Sequence, residues 1–248
     1  MIRILRGKFK NGARICYIKI MQNNLRENLA DVKKRIEAAA NRAGRNPYEI
    51  KLIAVGKTHP VEVLREAIEA GMKIFGENKV REAESKIAEL GRENLEWHLI
   101  GHLQSNKARR AAQLFDVIHT LDSIELAERL ERICIEDGRE KLSVLIQVDL
   151  GHEMTKAGID EKSLPRLIEK CSDFRHLKLD GLMTLPPYFE DSEKARPFFK
   201  KLRELRDEFL PRGELSMGMS HDFEAAIEEG ATLVRVGTAI FGAREYDK

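Results

Sequence analysis

Residues 51–60 read KLIAVGKTHP: an apolar run at 52–55, then Gly56, Lys57 and, three residues later, Pro60. Proline suits the first turn of a helix, where its missing N–H costs nothing. The spacing predicts a buried strand that delivers one lysine to its carboxyl end. In α/β sheets and barrels that end is where ligands bind. A lysine amine held in a partly desolvated site loses some of its preference for the charged form, and the neutral amine attacks carbonyls. A solvated lysine closing a strand is the plainer alternative. What else reaches the same rim decides between them.

The last two strands supply the strongest companions. SMGMS at 216–220 follows one apolar run and leads into a helix beginning near Asp222. Gly218 lets the backbone approach closely, and Ser220 sets a hydroxyl beside a helix N-terminus, the pattern of an anion site. LVRVG at 233–237 is followed by Thr238, so Gly237 and Thr238 offer adjacent backbone N–H groups. Barrels often bind phosphate between the loops after strands seven and eight. Ser220 as a plain cap and Gly237 as a turn glycine are the simpler readings. Arg235 lies inside an apolar strand, and if it faces the interior it needs a partner. An interior carboxylate would serve, and so would a ring nitrogen of a bound molecule.

Other polar clusters are less specific. FGEN at 75–78 places Glu77 and Asn78 at a strand end. HLIGHLQSNK at 98–107 holds His98 and His102, but Gly101 and a strand-to-loop junction separate them, which argues against a zinc pair. The loop DLGHEMTKAG at 149–158 carries Lys156, read as a solvated residue. GLMTLP at 181–186 puts Met183 and Thr184 at another strand end, where methionine usually packs.

These residues need a scaffold. Residues 24–43 carry an amphipathic helix stripe (Leu25, Leu29, Val32, Ile36, Ala39), ended by Gly44 and Pro47. From there strands and helices alternate. Strands are expected at 50–55, 73–75, 96–100, 117–120, 142–148, 177–183, 214–217 and 233–236, each but the last followed by a helix. Eight strands without a linker predict an α/β fold, a single-domain (β/α)8 TIM-like barrel over residues 21–248. Only about ten residues follow the last strand. The extra N-terminal helix is expected to cover the gap left by the truncated last one. No Gly-rich nucleotide fingerprint occurs.

The 248 residues carry 43 basic and 41 acidic side chains, but the balance is uneven. Residues 1–20 hold six basic residues and no acids, leaving 37 basic against 41 acidic in the rest. The extension is read as lying outside the fold and carrying no chemistry. The mildly acidic body gives no charge argument for nucleic acid. No apolar run reaches the ~18 residues of a membrane span. Three scattered cysteines, Cys16, Cys134 and Cys171, suit reduced thiols in a cytoplasmic protein.

Six motifs in order, AVGKTHP, FGEN, WHLIGHLQSNK, GLMTLPP, LSMGMSHDFEAAI and VRVGTAIFGAREY, resemble the pyridoxal phosphate homeostasis protein family across residues 21–248. The resemblance implies a barrel like the N-terminal domain of alanine racemase, with pyridoxal 5′-phosphate as cofactor. It implies that Lys57 forms the internal aldimine and that Ser220, Gly237 and Thr238 hold the phosphate, with Ser216 nearby. Arg235 would face the pyridine nitrogen, and Asn78 and Met183 would line the pocket. This sequence departs at Lys79, where the family usually has tyrosine, and at Gly56 and His59, where serine and lysine are common.

The expected function is a monomeric cofactor carrier that meets apo pyridoxal-phosphate enzymes transiently. An amino-acid racemase with the same cofactor would need a second acid/base group, for which Tyr188 is the only loop tyrosine in range. A Schiff-base aldolase on a sugar phosphate would use the lysine and the phosphate cup but not Arg235.

Overall fold

The apolar runs become strands because each is buried on both faces, by the barrel interior on one side and a helix on the other. In the computed structural model, residues 11–151 and 157–242 are described, with side chains from residue 24 onward. The strands are β1 (Lys51–Val55), β2 (Ile74–Glu77), β3 (Glu96–Leu99), β4 (Val117–Leu121), β5 (Leu142–Gln147), β6 (Leu177–Met183), β7 (Glu214–Met219) and β8 (Leu233–Val236). All neighbours are parallel, in chain order, and β8 returns to β1 to close the barrel. The expected eight-stranded (β/α)8 barrel is the fold observed.

The helices are α1 (Asn11–Arg42), α2 (Val61–Glu69), α3 (Val80–Leu90), α4 (Ala108–Leu114), α5 (Ile124–Glu136), α6 (Leu164–Ser172), α7 (Arg196–Phe209), α8 (Phe223–Glu228) and α9 (Thr238–Phe241). Between strands and helices lie Phe75, Trp97, Phe115, Phe199 and Phe223, all fully buried. Inside the barrel a smaller apolar group, Ile53, Leu145, Met183 and Leu233, packs beside polar side chains that belong to the site.

The long first helix does what the short last one cannot. Asn28 donates to the Ile240 carbonyl at 3.1 Å, and the Arg35 guanidinium sits 4.7 Å over the Phe223 ring while pairing with Glu224. Past its end, Arg45 reaches the Ile227 and Ala231 carbonyls at 2.7 and 2.8 Å. α1 therefore lies across α8 and α9, the place expected from the sequence. Its start differs from expectation: the helical backbone begins at Asn11, thirteen residues before Asn24. No glycine or proline occurs between Gly12 and Gly44, and an existing helix extends at little cost where nothing breaks it. Residues 1–10 lie outside the described residues.

Candidate functional site

β1 ends at Val55, and the Gly56 N–H donates to the Gly76 carbonyl on β2 at 3.0 Å, which holds the turn against the next strand. Lys57 follows, half-buried at the rim. Thr58 then adopts a left-handed φ of 66° and donates its N–H to Glu82 Oε1 at 2.5 Å. Beneath this turn lies Lys86 of α3. Its ammonium donates to the Gly56 carbonyl at 2.9 Å, to Glu77 at 2.8 Å and to Glu82 at 2.7 Å. Lysine 57 is thus carried on a turn bolted down by a second, buried lysine. Sequence reading missed Lys86; its signal was a lysine at a helix position among Val80, Ala83 and Ile87, on the buried stripe.

Glu77, the last residue of β2, is fully buried against Lys86. Desolvation pushes its carboxyl up to about 7, against the pull of Lys86 and Lys57. Gly56 admits this arrangement, because a Cβ there would fall 2.8 Å from Glu77 Oε1 and 2.9 Å from Leu64. Asn78 is half-buried at the end of β2.

On the opposite side of the closure, β8 lies beside β1 with Ala54 facing Val236, so Lys57 and Gly237 leave adjacent strand ends. Ser220, in the loop after β7, accepts the Gly237 N–H at 3.1 Å and the Ala239 N–H at 3.3 Å. This hydroxyl joins the two loops into a cup of backbone donors that includes exposed Thr238. Gly218 makes the loop possible: its φ is +90°, and a Cβ would lie 2.6 Å from that of Ala226. Asp222 fixes the other side by accepting the Met219 N–H at 2.6 Å.

Arg235 points into the barrel, 3% exposed. Among the described residues no carboxylate is hydrogen-bonded to it. It donates to the Ser216 hydroxyl and, at 2.9 Å, to the Thr184 carbonyl. Burial pushes its pKa down to about 10, with the charge of Asp222 opposing, so it stays protonated near neutrality. Ser216 is not in the cup but inside the barrel, 2.8 Å from His119 Nδ1. His119 Nε2 lies 2.7 Å from His98 Nδ1, and His98 Nε2 lies 2.8 Å from Glu96. Sequence reading did not find His119, whose only signal was a histidine in an otherwise apolar strand.

Met183 is fully buried in the interior group with Ile53. His98 uses both ring nitrogens inside the barrel, whereas His102 pairs with Asp122 at 3.2 Å. Among the described residues no His, Cys, Asp and Glu cluster is arranged to hold a metal, and no helix is long and apolar enough to cross a membrane. Tyr188 is 77% exposed, with its ring 5.8 Å from that of His221. Lys156 lies outside the described residues.

The chain matches the family described as alanine racemase, N-terminal domain, over residues 23–245. It is 46% identical over 230 residues to the pyridoxal phosphate homeostasis protein of Aquifex aeolicus, spanning 90% of this chain and 100% of that one. The pyridoxal phosphate homeostasis protein of Escherichia coli is 45% identical over 237 residues, with 91% and 99% covered. The structure of PipY of Synechococcus elongatus with PLP bound matches at 41% identity and a TM-score of 0.76, over 88% of this chain and 100% of that one. The order of the motifs, the barrel and these likenesses agree: the chain belongs to the alanine racemase N-terminal domain family and, within it, to the pyridoxal phosphate homeostasis proteins.

Proposed function

We propose that this chain binds pyridoxal 5′-phosphate at the barrel mouth, holds it on Lys57 and passes it to enzymes that need it. The observation that carries this reading is the placement of an amine, a cup of N–H donors and a buried guanidinium on three neighbouring strands, β1, β7 and β8. The donor set fits the cofactor's chemistry: backbone N–H groups for a phosphate, an amine for an aldehyde, a permanent donor for a ring nitrogen. When bound, the cofactor supplies an aldehyde that condenses with amines and a ring that takes up electrons.

The residues divide this work. Lys57 presents the amine from a braced turn. Ser220 accepts the Gly237 and Ala239 N–H groups and so fixes the loop; a bound phosphate would take over these donors, joined by the Ser220 hydroxyl proton and the Thr238 N–H. Asn78 and Met183 line the pocket, and Ser216 acts from behind through Arg235. Arg235, with a pKa of about 10, donates a hydrogen bond and gives up no proton, so a ring nitrogen facing it stays unprotonated. An unprotonated ring stabilises carbanions poorly, which favours holding over turnover. Tyr188, the one tyrosine weighed as a racemase acid/base, is solvent-exposed, and an aldolase has no use for Arg235.

The protein is read as a cytoplasmic monomer. Its described cysteines, Cys134 and Cys171, are buried free thiols, in keeping with a reducing compartment. Mixing the loaded protein with an apo pyridoxal-phosphate enzyme tests the carrier role. Activity recovered with matching loss of cofactor from Lys57 supports it. Exchange of an amino acid's α-proton with deuterated water, catalysed by the loaded protein, would overturn the non-enzymatic part.

A further inference from the structure

The polar interior of the barrel forms one continuous chain, Arg235–Ser216–His119–His98–Glu96, crossing from β8 through β7, β4 and β3. Arg235, Ser216, His119 and His98 are each at most 3% exposed, so bulk solvent does not reach them. Glu96 is the first residue of β3 and therefore lies at the floor, the end opposite Lys57. There it feels the charge of Lys51, which itself pairs with Glu214.

Donor accounting gives one consistent direction for the bonds. A guanidinium has no acceptor, so Ser216 Oγ must accept from Arg235. The single hydroxyl proton of Ser216 then goes to its other partner, His119 Nδ1. At the far end, the bond from His98 holds the Glu96 carboxyl below its usual range, so Glu96 is an ionised acceptor and His98 Nε2 carries the proton. A neutral His98 has no second proton, which makes its Nδ1 an acceptor and His119 Nε2 the donor. The two ends meet without conflict. With both imidazoles neutral, all four bonds point from the mouth to the floor. Charging His98 would force His119 to turn its proton toward Ser216, leaving the serine with two donors and no acceptor among these residues. Desolvation, then His98, Arg235 and Lys51, independently oppose charge on His119.

We infer that Ser216, His119, His98 and Glu96 are positioning residues: a one-way hydrogen-bond chain, anchored by the floor carboxylate, that sets the plane of the Arg235 guanidinium at the mouth. The inference rests on the reading that Arg235 faces the cofactor's ring nitrogen, because only then does that plane matter to function. Thr184 accepts from the second Nη, so the chain and one carbonyl together fix the guanidinium at two points.

The test begins without cofactor. Imidazole nitrogen NMR of the full protein, assigned with His119→Asn, reads the tautomers directly. The expected result near pH 7 is His98 and His119 both carrying a proton on Nε2 alone. A proton on Nδ1 of either ring, or a charged ring, overturns the chain. In Ser216→Ala the His119 Nδ1 signal should move away from its hydrogen-bonded position and the Arg235 Nη signals should broaden, and Ser216→Thr should restore both. Loaded with pyridoxal 5′-phosphate, Ser216→Ala should keep the cofactor on Lys57 yet shift its visible band, with Thr restoring it. An unshifted band in a folded, loaded Ser216→Ala protein refutes the positioning role. Should the parent refuse the cofactor yet show these tautomers, the reading of the site fails while the chain stands; loading with the wrong tautomers fails the chain alone.

Discussion

The Lys86 ammonium lies 2.8 Å from Glu77 Oε1, with the lysine side chain 7% exposed and the carboxylate fully buried. The pair sits under the turn that presents Lys57, and further bonds from Lys86 to the Gly56 carbonyl and to Glu82 tie it to that turn. The half-buried lysine of the site therefore depends on a fully packed one beneath it.

Replacing Lys86 with methionine should be strongly destabilising. Losing one partner of a buried ion pair leaves the other charge uncompensated, at a cost of about 3–5 kcal/mol. Glu77→Gln combined with Lys86→Met should cost clearly less than Lys86→Met alone. Urea unfolding curves on the single and double variants measure the difference.

Glu77 should also mark the pH dependence of stability. Its folded value of about 7 lies above the usual 4.5, so the folded state binds more protons between these values. The resulting destabilisation is fully present above pH 7 and disappears as pH falls toward 4.5. In Glu77→Gln the slope of unfolding free energy across that window should flatten. Because the Lys57 charge pulls Glu77 down, Lys57→Ala should raise the Glu77 titration midpoint, read by carboxyl carbon NMR.

Ser220→Ala should weaken cofactor binding roughly tenfold, equivalent to about 1.4 kcal/mol. The hydroxyl that joins Gly237 and Ala239 is lost, and with it the alignment of the cup. Equilibrium dialysis measures the change, and inorganic phosphate should compete with the cofactor less well against the variant than against the parent.

Arg45→Ala should loosen the first helix. Its guanidinium bonds two carbonyls at the end of α8, and such bonds to a charged group contribute about 1.5–3 kcal/mol each. A lower midpoint of thermal unfolding is expected, with cofactor uptake unchanged below it.

Much of the fold was legible in the sequence because fully buried parallel strands read as short apolar runs, such as LIAV before Gly56 and LVRV before Gly237. Lys57, Ser220 and Arg235 stood out because a charge or hydroxyl at the end of such a run, or within it, needs an explanation. The start of α1 was not legible, since the change in charge near residue 20 marks a shift in composition and no break in the helix. Ser216 was placed near the cup because position along a strand does not say which partner a hydroxyl meets. His119 and Ser216 are 97 residues apart, and only closure of the barrel brings them together. Lys86 was hidden for a related reason: its partners are the Gly56 carbonyl and a carboxylate on another element.

The measurement that tests the central claim most directly is the absorption spectrum of the purified protein, titrated with pyridoxal 5′-phosphate beside Lys57→Ala. A visible band in the parent, fixed by borohydride on the peptide containing Lys57 and missing from the variant, is the predicted result. A parent without the band in excess cofactor, or a variant with the parent's full band, would contradict the account.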